Sequence, residues 1–195
     1  MSISGGTYIM FEPDAERHAL RLQEGMARTS DEPCFLDVPS APDEMEKCLK
    51  CVAQSASVLL LQTRSVLTQP WALLAVYRAA LAHASVVCVL VDESGYDFGG
   101  AKLHLEHLSE RLGAPALEHI TGELSRWDPP GDVEALQSEL ARLIPQTISV
   151  TYNPNGTDNE LIATLRDVED KKRLLQVRTR NSSSDTTASR STQVV

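Results

Sequence analysis

The chain has 195 residues, 42% of them hydrophobic, and carries 27 acids against 18 bases for a net charge of −9. That length suits one domain with a substantial core, since a domain of roughly 150 residues buries about 68–70% of the surface its unfolded chain exposes. The acidic balance argues against a nucleic-acid backbone or an anionic membrane surface as the main partner, because both call for a basic patch.

Several function classes are set aside by what the sequence lacks. No run approaches the ~20 apolar residues of a membrane span, and the N-terminus has no basic-then-apolar leader, so a cytoplasmic protein is expected. Cys34, Cys48, Cys51 and Cys88 read as reduced thiols: Cys48-x-x-Cys51 has no second pair to complete a zinc set, and it falls inside a helical pattern rather than at a helix start. His104-x-x-His107 shares a helical face without further ligands, so no metal is expected. The basic run Lys171-Lys172-Arg173 reads as the solvated last turn of a helix.

In chain order, Thr7 to Phe11 reads as a short buried strand closed by Pro13. A helix follows from about Asp14 to Arg28, with Leu20, Leu22 and Met26 facing inward. Pro33 to Val38 is a second strand, stopped by Pro39. Ser40 with Asp43 has the spacing of an N-cap and an acidic N3, and Met45, Leu49 and Val52 recur as one stripe of an amphipathic helix. Val58 to Leu61 is apolar without alternation, as in a strand covered on both faces.

Pro70 and Trp71 open a helix running to about Ala82, apolar nearly all round and so largely buried. Ser85 to Val91 is a fourth strand. A polar loop covers Asp92 to Gly100, and Leu103 to Leu112 is helical. Gly113 to Asp132, broken by Pro115, Pro129 and Pro130, shows no readable pattern. Val133, Leu136, Leu140, Leu143 and Ile144 mark another amphipathic helix, and Thr147 to Tyr152 a fifth strand. Thr157 and Glu160 form a capping box before a helix whose buried stripe is Leu161, Leu165 and Val168. Residues 1–175 are therefore expected as one α/β domain, and residues 176–195 as a disordered Ser/Thr-rich tail.

Strands alternating with helices imply a doubly wound parallel sheet. A flavodoxin-like strand order 2-1-3-4-5 is expected, with any ligand at the carboxyl ends of the strands. Neither glycine-rich phosphate loop occurs, nor a G-x-S-x-G nucleophile elbow. The third strand ends Gln62-Thr63 rather than in the acid a phospho-acceptor receiver needs.

Three segments in sequence resemble Toll/interleukin-1-receptor (TIR) domains. Cys34-Phe35-Leu36-Asp37-Val38, a short Pro-containing loop, an acidic amphipathic helix and Ser57 to Leu61 are similar to the family's second strand, BB loop, helix B and third strand. Gln69-Pro70-Trp71-Ala72 and the helix to Ala79 resemble its Pro-Trp box. Ile144 to Val150, Tyr152-Asn153-Pro154 and Asp158 to Leu161 look like the final strand and helix of TIR-like proteins from microbial eukaryotes. The resemblance runs from about Tyr8 to Leu174.

What the resemblance implies for function turns on one position. In NAD-cleaving members a glutamate four residues after the tryptophan engages the nicotinamide-side ribose; here that position is Ala75, and the cysteine that often follows the tryptophan is Ala72. A methyl group can neither accept a ribose hydroxyl bond nor stabilise the cationic charge of glycosidic cleavage, a loss of several kcal/mol at the transition state. The resemblance thus implies a signalling module that associates with other TIR-type domains, including itself, through the loop Pro39, Ser40, Ala41, Pro42 and Asp43.

The alternatives are an NAD(P)+ glycohydrolase, working through a substitute acid or because Ala75 replaces a natural glutamate, and a nucleotide-binding sensor. No resident cofactor is expected, with NAD as substrate or ligand only under those alternatives. Besides Ala75, the cleft candidates are Phe11 and Glu12 after the first strand, Asp37 after the second as loop anchor or acid, and Trp71 as core anchor or base-stacking platform.

Overall fold

In the computed structural model, which describes residues 5–39 and 42–188, five strands form one all-parallel sheet in the order β2-β1-β3-β4-β5. These are β1 (Thr7–Met10), β2 (Cys34–Leu36), β3 (Ser57–Gln62), β4 (Ser85–Val91) and β5 (Val150–Tyr152). The described helices are α1 (Glu16–Thr29), α2 (Pro42–Gln54), α3 (Pro70–Leu81), α4 (Phe98–Glu106), α5 (Leu108–Arg111), α6 (Ala114–Leu124), α7 (Val133–Leu143) and α8 (Asp158–Ala188). Single 3₁₀ turns lead into α1 and α3 at Pro13–Ala15 and Val66–Thr68.

Side chains alternate across the sheet and so feed two cores. Tyr8, Met10, Val58, Leu60, Val86 and Cys88 join the cluster under α2, α3, α6 and α7. Ile9, Phe11, Leu59, Leu61, Val87 and Val89 join the cluster under α1 and α8. The apolar runs of β3 and β4 lack alternation because both of their faces are covered.

Most expected elements stand within a residue or two of their predicted bounds. Met45, Leu49 and Val52 on α2 are buried, as are Leu161, Leu165 and Val168 on α8. The Thr157–Glu160 box is made in both directions, Thr157 N–H donating to Glu160 Oε2 at 2.6 Å and Glu160 N–H to Thr157 Oγ1 at 3.4 Å.

Four readings are corrected. Leu20 is 42% exposed; Ala19, Leu22, Gly25 and Met26 are the buried positions of α1, because Gly25 is where α8 approaches. The segment from Gly113 holds α6, with Pro115 in its first turn, where a missing N–H costs no intrahelical bond. The loop from Asp92 ends early: Asp97 caps α4 by accepting from Gly99 N–H at 3.0 Å, and α4 breaks at His107. Lys172 is no solvated cation, since it is 2% exposed and donates to Glu32 and to Glu169, the latter at 2.8 Å.

The C-terminal region differs from the expected tail in backbone. Helix α8 runs on to Ala188, while Leu175 is the last described side chain to join a hydrophobic cluster. Val177, two residues later, is exposed. Ser40 and Ala41 of the expected interaction loop lie outside the described residues. Pro39 precedes them half-buried, and Pro42 and Asp43 form the backbone of the first turn of α2. Among the described residues no helix is long and apolar enough to cross a membrane.

Candidate functional site

The described residues converge on a cleft of about 430 Å³ at the carboxyl edge of the sheet, where open α/β sheets place their ligands. Each strand from β1 to β5 except β2 delivers a piece of it. Glu12 follows β1, Thr63 follows β3, Val91 to Ser94 close β4, and Tyr152 with Pro154 and Asn155 ends β5. The first turns of α1 supply the remaining wall through Arg17, His18 and Arg21, with Asp14 from the 3₁₀ turn before it.

The wall is held by bonds that leave little slack. Arg21 ties α1 to the β5–α8 loop, its guanidinium donating to the Pro154 carbonyl at 2.6 Å and the Gly156 carbonyl at 2.7 Å. Ser94 Oγ donates to the Gln62 carbonyl at 3.2 Å, and Glu93 N–H to Asp92 Oδ1 at 3.0 Å. Glu93 itself sits in the left-handed region, with φ 59°, a conformation that non-glycine residues adopt only when their surroundings enforce it. The ring of His18 meets Tyr152 edge-on at 6.1 Å. Burial, with Arg17 and Arg21 adding to it, lowers the His18 pKa and favours the neutral imidazole.

Two features make the cleft chemically unusual. Four carboxylates, Glu12, Asp14, Asp92 and Glu93, line it against two guanidiniums, Arg17 and Arg21. Of three buried side-chain polar atoms without a hydrogen-bond partner among the described residues, two belong to its lining: Thr63 Oγ1 and the Tyr152 hydroxyl. Arg21 lies beside Tyr152, but its bonded donors go to the two backbone carbonyls. Burial pushes the Tyr152 phenol upward, so it stays protonated and can both donate and accept.

Of the residues singled out in the sequence, only Glu12 lines this cleft. It is 7% exposed and accepts a bond from Ser65 Oγ through Oε2, leaving Oε1 for another donor. Phe11 packs into the α1–α8 core. Trp71 and Ala75 lie in the opposite core beneath α2 and α3, Ala75 with 1% of its surface accessible. Trp71 is thus a core anchor, and its Nε1 is the third unpartnered atom. Asp37 is exposed, and what anchors its loop is its backbone carbonyl, which accepts from the Tyr8 hydroxyl at 3.1 Å.

Arg17, His18, Arg21, Thr63, Asp92, Glu93 and Tyr152 escaped sequence reasoning. The available signal was positional: Thr63, Asp92 and Tyr152 each end or follow a strand. Their convergence depends on α1 lying across those ends, which no local pattern encodes.

A second concavity of about 350 Å³ lies between α2, α3 and the end of α6. Its polar groups answer one another. Lys50 donates to Glu46 at 2.6 Å, Arg126 to Glu123 at 3.0 Å, and Arg78 stands 4.9 Å from the Trp127 ring, which stacks on Tyr77 at 5.8 Å. It makes no demand for a ligand. Elsewhere His104 Nε2 bonds the Leu67 carbonyl at 3.1 Å, so this histidine ties α4 to the turn before α3. Cys48 and Cys51 carry free thiols on α2, and among the described residues no group of three or more His, Cys, Asp or Glu side chains could hold a metal ion.

No family model matches the chain, and no curated protein does. Among solved structures it is similar to the TIR domains in the structure of the activated Roq1 resistosome directly recognizing the pathogen effector XopQ, with a TM-score of 0.55 and 15% identity. The match covers 84% of this chain and 98% of that one. At that identity the likeness speaks for the fold: this chain has the flavodoxin-like architecture of a TIR domain.

Proposed function

We propose that the chain is a TIR-type signalling module that acts by associating with other TIR-type domains, its own copies included, and does no sugar-cleaving chemistry through residue 75. The observation that carries the reading is the burial of Ala75, a methyl group in an apolar core at the position of the family's glutamate. Its fold likeness supports the first half, since the matched TIR domains come from an activated resistosome. The Pro39–Asp43 segment and its adjoining helices are the surface we assign to association.

Glu12 favours a second reading, an NAD(P)+ glycohydrolase using a substitute acid. It is a carboxylate in a water-poor setting at the carboxyl edge of the sheet, with two arginines nearby for an anionic substrate. Sedimentation velocity over a hundredfold range of concentration tests the first reading. Association that rises with concentration and is lost on replacing the Pro39–Asp43 segment with glycine and serine supports it; a monomer throughout contradicts it. NAD consumption abolished by Glu12→Gln transfers the function to the second.

A further inference from the structure

We propose that the carboxyl-edge cleft binds a small linear organic amine, whose ammonium is held by Glu12 and Thr63 while a second polar group reaches Tyr152. Burying a hydroxyl without a partner costs about 1–3 kcal/mol, so two of them in the lining of one cavity call for an explanation. Thr63 is 4% exposed and Tyr152 1%, and neither has a protein partner for its hydroxyl. A bound ligand supplies those partners.

Charge selects the class. The lining carboxylates outnumber the guanidiniums, and Arg21 is already committed to backbone carbonyls. Glu12 and Thr63 follow adjacent strands, so one ammonium, with three donors, can serve both. Tyr152 ends β5, two strands beyond β3, or roughly 10 Å at ordinary strand spacing. That span calls for an extended ligand, and Asp92 and Glu93 at the end of β4 flank its middle.

The probe is 1,4-diaminobutane titrated into the full chain by calorimetry, with 1,4-butanediol and ribose 5-phosphate as controls. Saturable binding of the diamine is expected, with none of the diol. Glu12→Gln should abolish it, and Thr63→Val and Tyr152→Phe should each weaken it about tenfold. Both of those variants should melt at or above the parent temperature, because each removes an unpartnered hydroxyl. No heat with the diamine, binding that survives Glu12→Gln, or binding of ribose 5-phosphate alone overturns the assignment. Loss of binding in a variant that also melts lower counts against it too, since that result describes a structural hydroxyl. The reading is independent of association, so a monomeric chain that binds the diamine leaves it standing.

Discussion

Single side chains divide here into those whose surroundings agree with their chemistry and those whose surroundings demand something more. Ala75 is of the first kind: a methyl in a close-packed core. Ala75→Glu would bury a carboxylate with no partner at its site, which costs several kcal/mol, so we expect a fall of at least about 3 kcal/mol in urea denaturation; unchanged stability would mean that residue 75 borders solvent or a polar cleft. Lys172 is of the second kind, a cation with 2% exposure satisfied only by Glu32 and Glu169. Removing both acids together, as Glu32→Ala with Glu169→Ala, leaves that charge buried and should cost about 3–5 kcal/mol, whereas Lys172→Met should stay within about 1 kcal/mol of the parent. Equal losses in the two urea titrations would contradict the pairing. At this scale the sequence was only partly legible. A Lys-Lys-Arg run reads as surface because lysine and arginine are almost never fully buried, and the residues that rescue Lys172 include one 140 positions away. Glu12 was legible because it follows a strand, Arg17 and Arg21 were not, and His18 stood alone until α1 laid it against Tyr152.

Elements were more legible, since strand and helix periods are local properties. The five strands and the stripes of α2, α7 and α8 could be read directly, and α6 was hidden because Pro115 reads as a breaker when it in fact occupies a helix start. The α1 face was misassigned because leucine outranks glycine as a core residue until packing is considered. A β-carbon at Gly25 would meet Leu165 Cδ1 at 2.7 Å and Leu161 Cδ2 at 3.3 Å, so α1 and α8 pack there with no room for a side chain. Gly25→Ala should therefore lower stability by about 1 kcal/mol even though alanine is the better helix former, while Gly122→Ala on α6, with nothing within 4 Å, should raise it by about 0.5–1 kcal/mol. Melting curves showing the same sign for both would contradict the close α1–α8 approach. Elements are also joined by histidines whose pKa burial lowers below 6.5: His18 between α1 and β5, with Arg17 and Arg21 contributing, and His104 between α4 and the turn before α3. Their folded pKa values lie below the unfolded one, so the unfolded chain binds more protons as pH falls. Their contribution is complete above 6.5 and declines as pH drops through 6.5 toward the folded values. The melting temperature should fall between about pH 7.5 and pH 6, and the slope should flatten in a His18→Gln, His104→Gln variant; an unaltered slope would assign it to other groups.

For the whole molecule, the strand order 2-1-3-4-5 follows from alternation and from fully apolar central strands, and it sets both cores and the cleft at the carboxyl edge. The architecture brings Glu12 to that edge and Ala75 to the core on the other face, a separation that neighbouring positions in a motif could not reveal. Association and catalysis are thereby assigned to different parts of one domain, the first to the Pro39–Asp43 segment and its helices, the second to no residue that the Pro-Trp box supplies. The measurement that bears most directly on this division is nicotinamide release from NAD at a protein concentration where the chain self-associates. The account predicts no release above the buffer rate from the parent chain or from Glu12→Gln. Release by the parent chain that vanishes in Glu12→Gln would contradict it and make the domain an enzyme.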